Sequence, residues 1–251
     1  MIDDLFSVRG KTALVTGGAR GVGALIAQAL VEAGAQVYLT SRDGVAAEKA
    51  AAELSLLGDC HPLTADVSSE AGCRALAADF GQQALHLLVN NAGVLHAAPL
   101  DEFDESGWRD TIAINLEAVF HLTKLLRPQL LSASTPDDPA RVVNVGSIDG
   151  LRVPAAETYS YGASKAAMHH LSRHLATRLA PRITVNVIAL GPFVSGMLDR
   201  DLALEIGSRT PMSRYGGIDD IAGIVRFLGS RASAYVTGTV ISVDGGMAAS
   251  R

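Results

Sequence analysis

Tyr161 and Lys165 stand four residues apart in the run Tyr-Ser-Tyr-Gly-Ala-Ser-Lys that occupies positions 159–165. Side chains at i and i+4 share one helix face, so a phenol and an ammonium can converge on a single point. A free tyrosine titrates near about 10. A fixed cation beside it favours the phenolate and draws that value toward the range where acid/base catalysis works. An ordinary exposed helix face carries the same two residue types, so the pair gains meaning only from what else the chain brings to it. Tyr159 is a competing phenol, but residue 163 is alanine, and Tyr159 is assigned to a pocket wall instead.

A second chemical signal lies near the N-terminus. The apolar run ending at Thr16 passes into Gly17-Gly18-Ala19-Arg20-Gly21-Val22-Gly23 and then into a helical pattern. Glycines between a strand and a helix let backbone N–H groups approach a diphosphate, which the helix N-terminus also attracts. Glycine can also merely relieve crowding in a tight turn, but strand, turn and helix are all in place, as nucleotide binding requires. About 20 residues on, where an acid would hold a ribose 2′-hydroxyl, the chain has Ser41-Arg42. With Arg20 in the turn, two guanidiniums and a hydroxyl suit a 2′-phosphate, which a carboxylate would repel. NADP(H) is therefore expected over NAD(H), which stays possible; both arginines could equally be solvated, and Asp43 weakens the local field. Asp66-Val67 ends another apolar run and could cap the adenine end of a cofactor or start a helix, a task for which Ser68 and Ser69 compete. Asn90-Asn91-Ala92-Gly93 either leaves room for a ribose or is a structural turn.

The elements that must position these groups alternate along the chain. Strands are expected at 12–16, 36–40, 61–65, 85–90, 141–145, 183–189 and 240–243, mostly continuous in aliphatic residues, as in strands covered on both faces. Helical patterns fall near 21–33, 45–57, 69–82, 108–130, 159–179 and 218–227. This alternation implies parallel βαβ crossovers and an α/β fold: a single doubly wound Rossmann domain over 1–251, with about seven parallel strands and helices on both faces. The polar stretch at 132–139 is expected to be an exposed, dispensable loop. Of 251 residues, 48% are hydrophobic and 19% charged, which suits a large buried core. A net charge of −5 and the lack of a basic run argue against nucleic-acid binding. Two cysteines outside any Cys-x-x-Cys pair, no apolar run of roughly 20 residues, and a start without a signal-peptide pattern point to the cytoplasm and away from the membrane.

Taken in order, Gly17-x-x-x-Gly21-x-Gly23 after Thr16, Asn90-Asn91-Ala92-Gly93, Asn115, Ser147, Tyr161-x-x-x-Lys165 and Val243-Asp244-Gly245-Gly246 resemble the short-chain dehydrogenase/reductase family over nearly the whole chain. The resemblance implies an NAD(P)-dependent enzyme interconverting a ketone and a secondary alcohol. Tyr161 would be the general acid/base, Lys165 would lower its pKa and bind the nicotinamide ribose, and Ser147 would polarise the carbonyl. Asn115, on the helix at 108–130, would hold a water relaying protons to Lys165. Thr16, Gly17, Arg20, Gly21, Val22, Gly23, Ser41, Arg42, Asp66, Val67, Asn91, Ala92, Gly93 and Gly191 would meet the cofactor. Two departures stand out. The chain reads Leu190-Gly191-Pro192 where many members have Pro-Gly, and Ser147 precedes Tyr161 by fourteen residues, so the intervening loop is expected to bulge.

Ser147, Asp149, Tyr159, Phe193 and Met197 are expected to line the substrate pocket, under a lid at about 191–215 rich in apolar residues. An apolar lid suggests a ketone on an aliphatic or acyl chain. The run at 162–173 is similar to the ketoacyl reductases, including the branch tied to rhamnolipid synthesis, so a 3-oxoacyl thioester is the expected substrate. A polyol or sugar-acid dehydrogenase, or an inactive nucleotide-binding regulator, remains open. His169, His170 and His174 lack the glutamate of a zinc-protease helix and are expected to be solvated or at an interface, with no metal. A homo-oligomer, dimer or tetramer, is expected through the helices at 108–130 and 159–179.

Overall fold

The computed structural model describes residues 2–193 and 200–250. Seven parallel strands, β1 (Thr12–Val15), β2 (Gln36–Ser41), β3 (Cys60–Thr64), β4 (Leu87–Asn90), β5 (Ala140–Ser147), β6 (Ile183–Leu190) and β7 (Val240–Val243), form one sheet in the order β3-β2-β1-β4-β5-β6-β7. The helices are α1 (Ile2–Leu5), α2 (Gly21–Glu32), α3 (Gly44–Leu54), α4 (Glu70–Asp79), α5 (Glu105–Ile112), α6 (Ala118–Leu125), α7 (Arg127–Ala133), α8 (Tyr159–Leu179), α9 (Arg200–Ser208) and α10 (Ile218–Gly229).

Successive side chains of a strand point to opposite faces, and the aliphatic runs use both. Ala13 and Val15 pack with Ile26, Leu30, Ala47, Val225 and Leu228, from α2, α3 and α10. Leu14 between them packs with Leu76, Leu122, Leu130 and Ala176, from α4, α6, α7 and α8. Every residue of β5 and β6 is buried, so these strands form the centre of the sheet. The strand order reverses between β1 and β4. In a doubly wound sheet that reversal opens a crevice at the carboxyl ends of the strands, where ligands bind.

Three expectations need correction. The helix expected at 108–130 is broken. Residues Ala113–Glu117 form one π-helical turn between α5 and α6, and Pro128 in the first turn of α7 cannot continue a helix because it lacks an N–H. The stretch after β6 contains α9, which has its own apolar periodicity. The loop at 132–139 is not dispensable: Asp138 pairs with Lys11 Nζ at 2.9 Å and with the fully buried Arg141 at 2.6 Å. Arg141 also donates to the Ser230 carbonyl at 2.7 Å, and Arg182 donates to Ser134 Oγ at 2.9 Å. The loop thus neutralises charges buried at the amino ends of β1 and β5.

Burial works against the Asp138 charge, but the hydrogen bond from Lys11 and the Arg141 guanidinium hold its carboxyl below the usual range. A depressed carboxylate pKa stabilises the fold above the unfolded value, and that contribution is lost as pH falls through the folded one. Asp138→Ala should lower the unfolding free energy by about 3 kcal/mol at pH 7, because it strands two buried cations. Denaturant unfolding should show the difference shrinking toward pH 3; a variant of wild-type stability at pH 7 would rule out the role given to this loop.

Candidate active site

The switch point is built by cross-links between the ends of three strands. Gly17 and Gly21 occupy the left-handed region at φ 64° and 55°, which glycine enters without strain. A Cβ on Gly18 would lie 2.7 Å from Leu39 Cβ, so the turn can lie flat on β2 only because that position is glycine. Gly18 N donates to the Thr40 carbonyl at 3.0 Å, which fixes the turn to the end of β2. Asn91 Nδ2 donates to the carbonyls of Thr16 and Gly17 at 2.8 and 3.1 Å, and Thr16 Oγ1 accepts from the N–H groups of Asn91 and Ala92, both at 3.0 Å. Asn91 is thus committed to holding the glycine turn. Arg20 precedes α2 with an extended backbone and provides no side-chain cap. The first N–H groups of α2 therefore face the crevice without a side-chain acceptor, the arrangement that receives an anionic diphosphate.

Beyond the turn, Ser41 ends β2 and its hydroxyl accepts from Asp43 N at 3.1 Å. Asp43 in turn caps α3 by accepting from Ala46 N at 3.1 Å, so its charge is partly committed to a helix N-terminus. Arg42 and Arg20 are exposed, and Arg42 is close enough to Asp66 to help hold that carboxyl down, after the Ser68 N–H. The choice left open at residues 66–69 resolves simply. Ser69 caps α4 by accepting from Gly72 N at 3.1 Å, leaving Asp66 exposed and bonded locally to the backbone and side chain of Ser68, with Val67 buried. Gly191 N donates to the Val243 carbonyl at 3.0 Å, and a Cβ there would lie 2.7 Å from Asp244 Cα, so the Leu-Gly-Pro turn is clamped to the end of β7.

Further along the same edge, Ser147 is the last residue of β5 and is 6% exposed. Its Oγ accepts from Asp149 N at 3.1 Å, which starts a 3-10 turn over Ile148–Gly150. Eight residues separate that turn from α8, which brings Tyr161 and Lys165 to the same place. Lys165 is buried, and its Nζ donates to the Val145 carbonyl at 2.8 Å and lies 5.6 Å from the Tyr161 ring centroid. Burial brings the Lys165 pKa down to about 8. Burial also pushes Tyr161 up to about 12, against a hydrogen bond with Ser147 that favours the phenolate, while the Asp149 carboxylate reinforces the rise. The sequence led us to expect a lowered phenol; here desolvation outweighs the Ser147 hydrogen bond and raises it. Burial likewise raises Asp149, with Arg152 opposing it.

Asn115 sits in the π turn, a deformation that often marks functional positions. Its side chain is occupied: Oδ1 accepts from Val94 N at 2.9 Å, and Nδ2 donates to the Val94 carbonyl at 2.9 Å and to Ser164 Oγ at 3.1 Å. It ties the segment after β4 to α8, and does so through the amide expected to hold a water. Tyr159 stands at the rim, its hydroxyl donating to Glu157 Oε1 at 2.7 Å and its ring edge-on to Phe103. Phe193 is 4% exposed and packs into the space left by the missing side chain of Gly216, where it borders a small cavity lined also by Pro192, Met212, Val243 and Asp244. Met197 lies outside the described residues. His169 is buried rather than solvated, whereas His170 and His174 are exposed as expected. His169 was legible in one respect: it is four residues beyond Lys165, on the face that already carries Tyr161 and Lys165.

A parallel doubly wound sheet with this glycine turn at its switch point defines a dinucleotide-binding Rossmann domain, and the buried Ser147 and Lys165 and the part-buried Tyr161 stand at its edge. The family model described as enoyl-(acyl carrier protein) reductase matches residues 17–248. The rhamnolipids biosynthesis 3-oxoacyl-[acyl-carrier-protein] reductase of Pseudomonas aeruginosa is 45% identical over 249 residues, covering 96% of this chain and 97% of that protein. Gluconate 5-dehydrogenase of Gluconobacter oxydans is 33% identical over 259 residues, 98% of each chain. Among solved structures, the Pseudomonas aeruginosa RhlG/NADP active-site complex superposes with a TM-score of 0.93 at 44% identity, covering 98% of this chain and 99% of that one. The chain belongs to the short-chain dehydrogenase/reductase family.

The Lys165 pKa makes a prediction. The unfolded chain binds this proton up to about pH 10.5, the folded chain only up to about 8, so stability rises with pH between the two. Relative to a Lys165→Met variant, the wild-type protein should gain about 3 kcal/mol of unfolding free energy between pH 7 and 10.5. A constant difference across that range would show that Lys165 is not desolvated.

Proposed function

We propose that this chain is an NADPH-dependent reductase of 3-oxoacyl thioesters, with the Ser147–Tyr161 contact beside a buried Lys165 as the observation that carries the chemistry. The substrate class is supported by the 45% identical rhamnolipid-pathway reductase and by the apolar Leu151 and Val153, exposed directly after the Ile148–Gly150 turn. The cofactor is supported by the NADP complex of the similar structure and by Arg20 and Arg42, exposed where a 2′-phosphate would lie.

The residues fit such a cofactor: the glycine turn and the amides of α2 would take the diphosphate, Ser41 and Arg42 the 2′-phosphate, and Asp66 and Val67 the adenine. Asn91, Ala92 and Gly93 would flank the ribose, and Gly191 the nicotinamide end. When bound, the nicotinamide supplies a hydride to the carbonyl carbon. Ser147 holds the carbonyl oxygen by a hydrogen bond, and the Tyr161 hydroxyl gives that oxygen its proton, completing the alcohol. Lys165 keeps a positive charge beside the phenol as its proton leaves. Asn115 is a positioning residue that holds α8 against the segment after β4. Tyr159 and Asp149 would line the pocket; of the lid expected at 191–215, residues 194–199 lie outside the described residues, and the stretch at 200–215 would cover the pocket.

A sugar-acid or polyol dehydrogenase is the second reading. The partly buried Asp149 carboxyl beside the phenol would suit a substrate hydroxyl, and gluconate 5-dehydrogenase is among the relatives. We place the enzyme in the cytoplasm, supported by two free buried cysteines, Cys60 and Cys73; no helix among the described residues is long and apolar enough to cross a membrane. A dimer or tetramer through α6 and α8 is supported by a groove between them lined by Leu116, Phe120, His121, His170, Leu171 and His174, with Phe120 42% exposed.

Steady-state NADPH oxidation with a 3-oxoacyl thioester, a gluconate-type ketone and a cyclic ketone separates the two substrate readings. The thioester should give the highest kcat/KM; a preference for the sugar-acid ketone would overturn the assignment, and no turnover of any ketone would point to an inactive nucleotide-binding regulator. Tyr161→Phe should cut kcat by roughly 10²- to 10⁴-fold while NADPH still binds. Arg42→Ala should weaken NADPH by about tenfold and leave NADH nearly unchanged, measured by fluorescence titration. Equal losses for both cofactors would remove the case for 2′-phosphate recognition.

A further inference from the structure

His169 is 2% exposed and lies one helical turn beyond Lys165 on the inward face of α8. Its ring is inserted under the turn that carries Ser147. A Cβ on Gly146 would collide with His169 Nε2, and a Cβ on Gly150 would lie 2.7 Å from His169 Cε1. The two glycines bracket Ser147, Ile148 and Asp149, so the imidazole touches the backbone on both sides of the serine. Gly150 also rests on α8 itself, 2.8 Å from where its Cβ would be to the Ala166 nitrogen.

The side chain is an unexpected one for such a position. Buried polar atoms almost always have partners, and each unsatisfied one destabilises the fold. Neither ring nitrogen of His169 makes a hydrogen bond of ideal geometry among the described residues, but the Gly150 backbone lies within reach of the ring and serves as a weak partner. Burial first, then the charges of Lys165 and Arg173, keep the ring neutral by bringing its pKa down to about 4, while the Gly150 backbone pulls weakly the other way. A neutral ring adds no charge beside Lys165. An aliphatic side chain of similar volume would lack a flat edge thin enough to pass between two backbone segments.

We propose that His169 is a positioning residue, whose planar ring wedged between Gly146 and Gly150 sets the height and orientation of the Ser147 hydroxyl relative to Tyr161. The inference rests on the assignment of Ser147 to the reacting carbonyl. It adds to that assignment one reason for glycine at both 146 and 150, since each leaves room for the ring that supports the turn, beside the close approach of Val187 to the first and of the α8 backbone to the second.

The test is a double-mutant cycle in the NADPH-dependent assay. His169→Ala should lower kcat by roughly tenfold to a hundredfold, as expected for a reacting group displaced by about 1 Å, with the NADPH Kd unchanged. His169→Gln, which keeps a planar polar end, should recover most of that loss. In a Ser147→Ala background the His169→Ala change should have no further effect, because residues acting as a unit are not additive. The same proportional loss in both backgrounds, or a parallel loss of NADPH affinity, would show a general structural role and overturn the proposal. If Ser147→Ala itself leaves kcat intact, the site reading fails rather than the placement of His169. A crystal structure of His169→Ala then decides: a displaced Ser147 Oγ supports the wedge, and an unmoved one overturns it.

Discussion

The site depends on a charge held where water is scarce. Lys165 Nζ sits inside the protein and donates to the carbonyl of Val145, two residues before the end of β5. Burying an ammonium is costly unless polar groups replace its water, and here a strand-end carbonyl does so in part. That bond also sets distance: it draws α8 onto the carboxyl end of β5, so that Tyr161, one turn earlier, meets Ser147. The lowered pKa of Lys165 and the raised one of Tyr161 have the same cause, desolvation in a shared enclosure.

The remaining parts of the edge are fastened by polar bonds rather than by packing. Thr16 and Asn91 clamp the glycine turn to the end of β4, Thr40 clamps it to β2, and Asn115 joins the segment after β4 to α8 through Val94 and Ser164. Below them, apolar residues fill both faces of the sheet and carry no chemical information. The amino ends of the strands hold a separate charge cluster, Lys11, Asp138 and Arg141, which serves stability at the end of the sheet away from the ligand crevice. Stability and chemistry thus occupy opposite ends of one sheet.

Much of this was legible before any coordinates. The seven strands follow from aliphatic runs, because a strand buried on both faces must be apolar throughout. The pairing of Tyr161 with Lys165 follows from helical spacing. What spacing could not convey was environment. A phenol and an ammonium on one face suggest a lowered tyrosine pKa, but whether cation or desolvation wins depends on depth, which no spacing encodes. Asn115 reads as an ordinary helical residue because nothing local signals a π turn. The loop at 132–139 reads as solvent because its composition is polar, although Asp138 pairs with Lys11, distant in sequence, and with Arg141, three residues on, whose burial nothing local signals. His169 reads as a surface residue for the same reason: burial is a property of partners, and Gly146 and Gly150, which leave room for its ring, lie on another element.

The most direct measurement is the titration of Lys165 itself, followed by carbon-13 NMR of its ε-methylene and assigned by comparison with Lys165→Met. A midpoint near 8 is expected, with a tyrosine that stays protonated beyond pH 10 in the same protein. A lysine titrating at its ordinary value near 10.5 would mean that the ammonium is solvated, and the shared enclosure at the end of β5 would not exist.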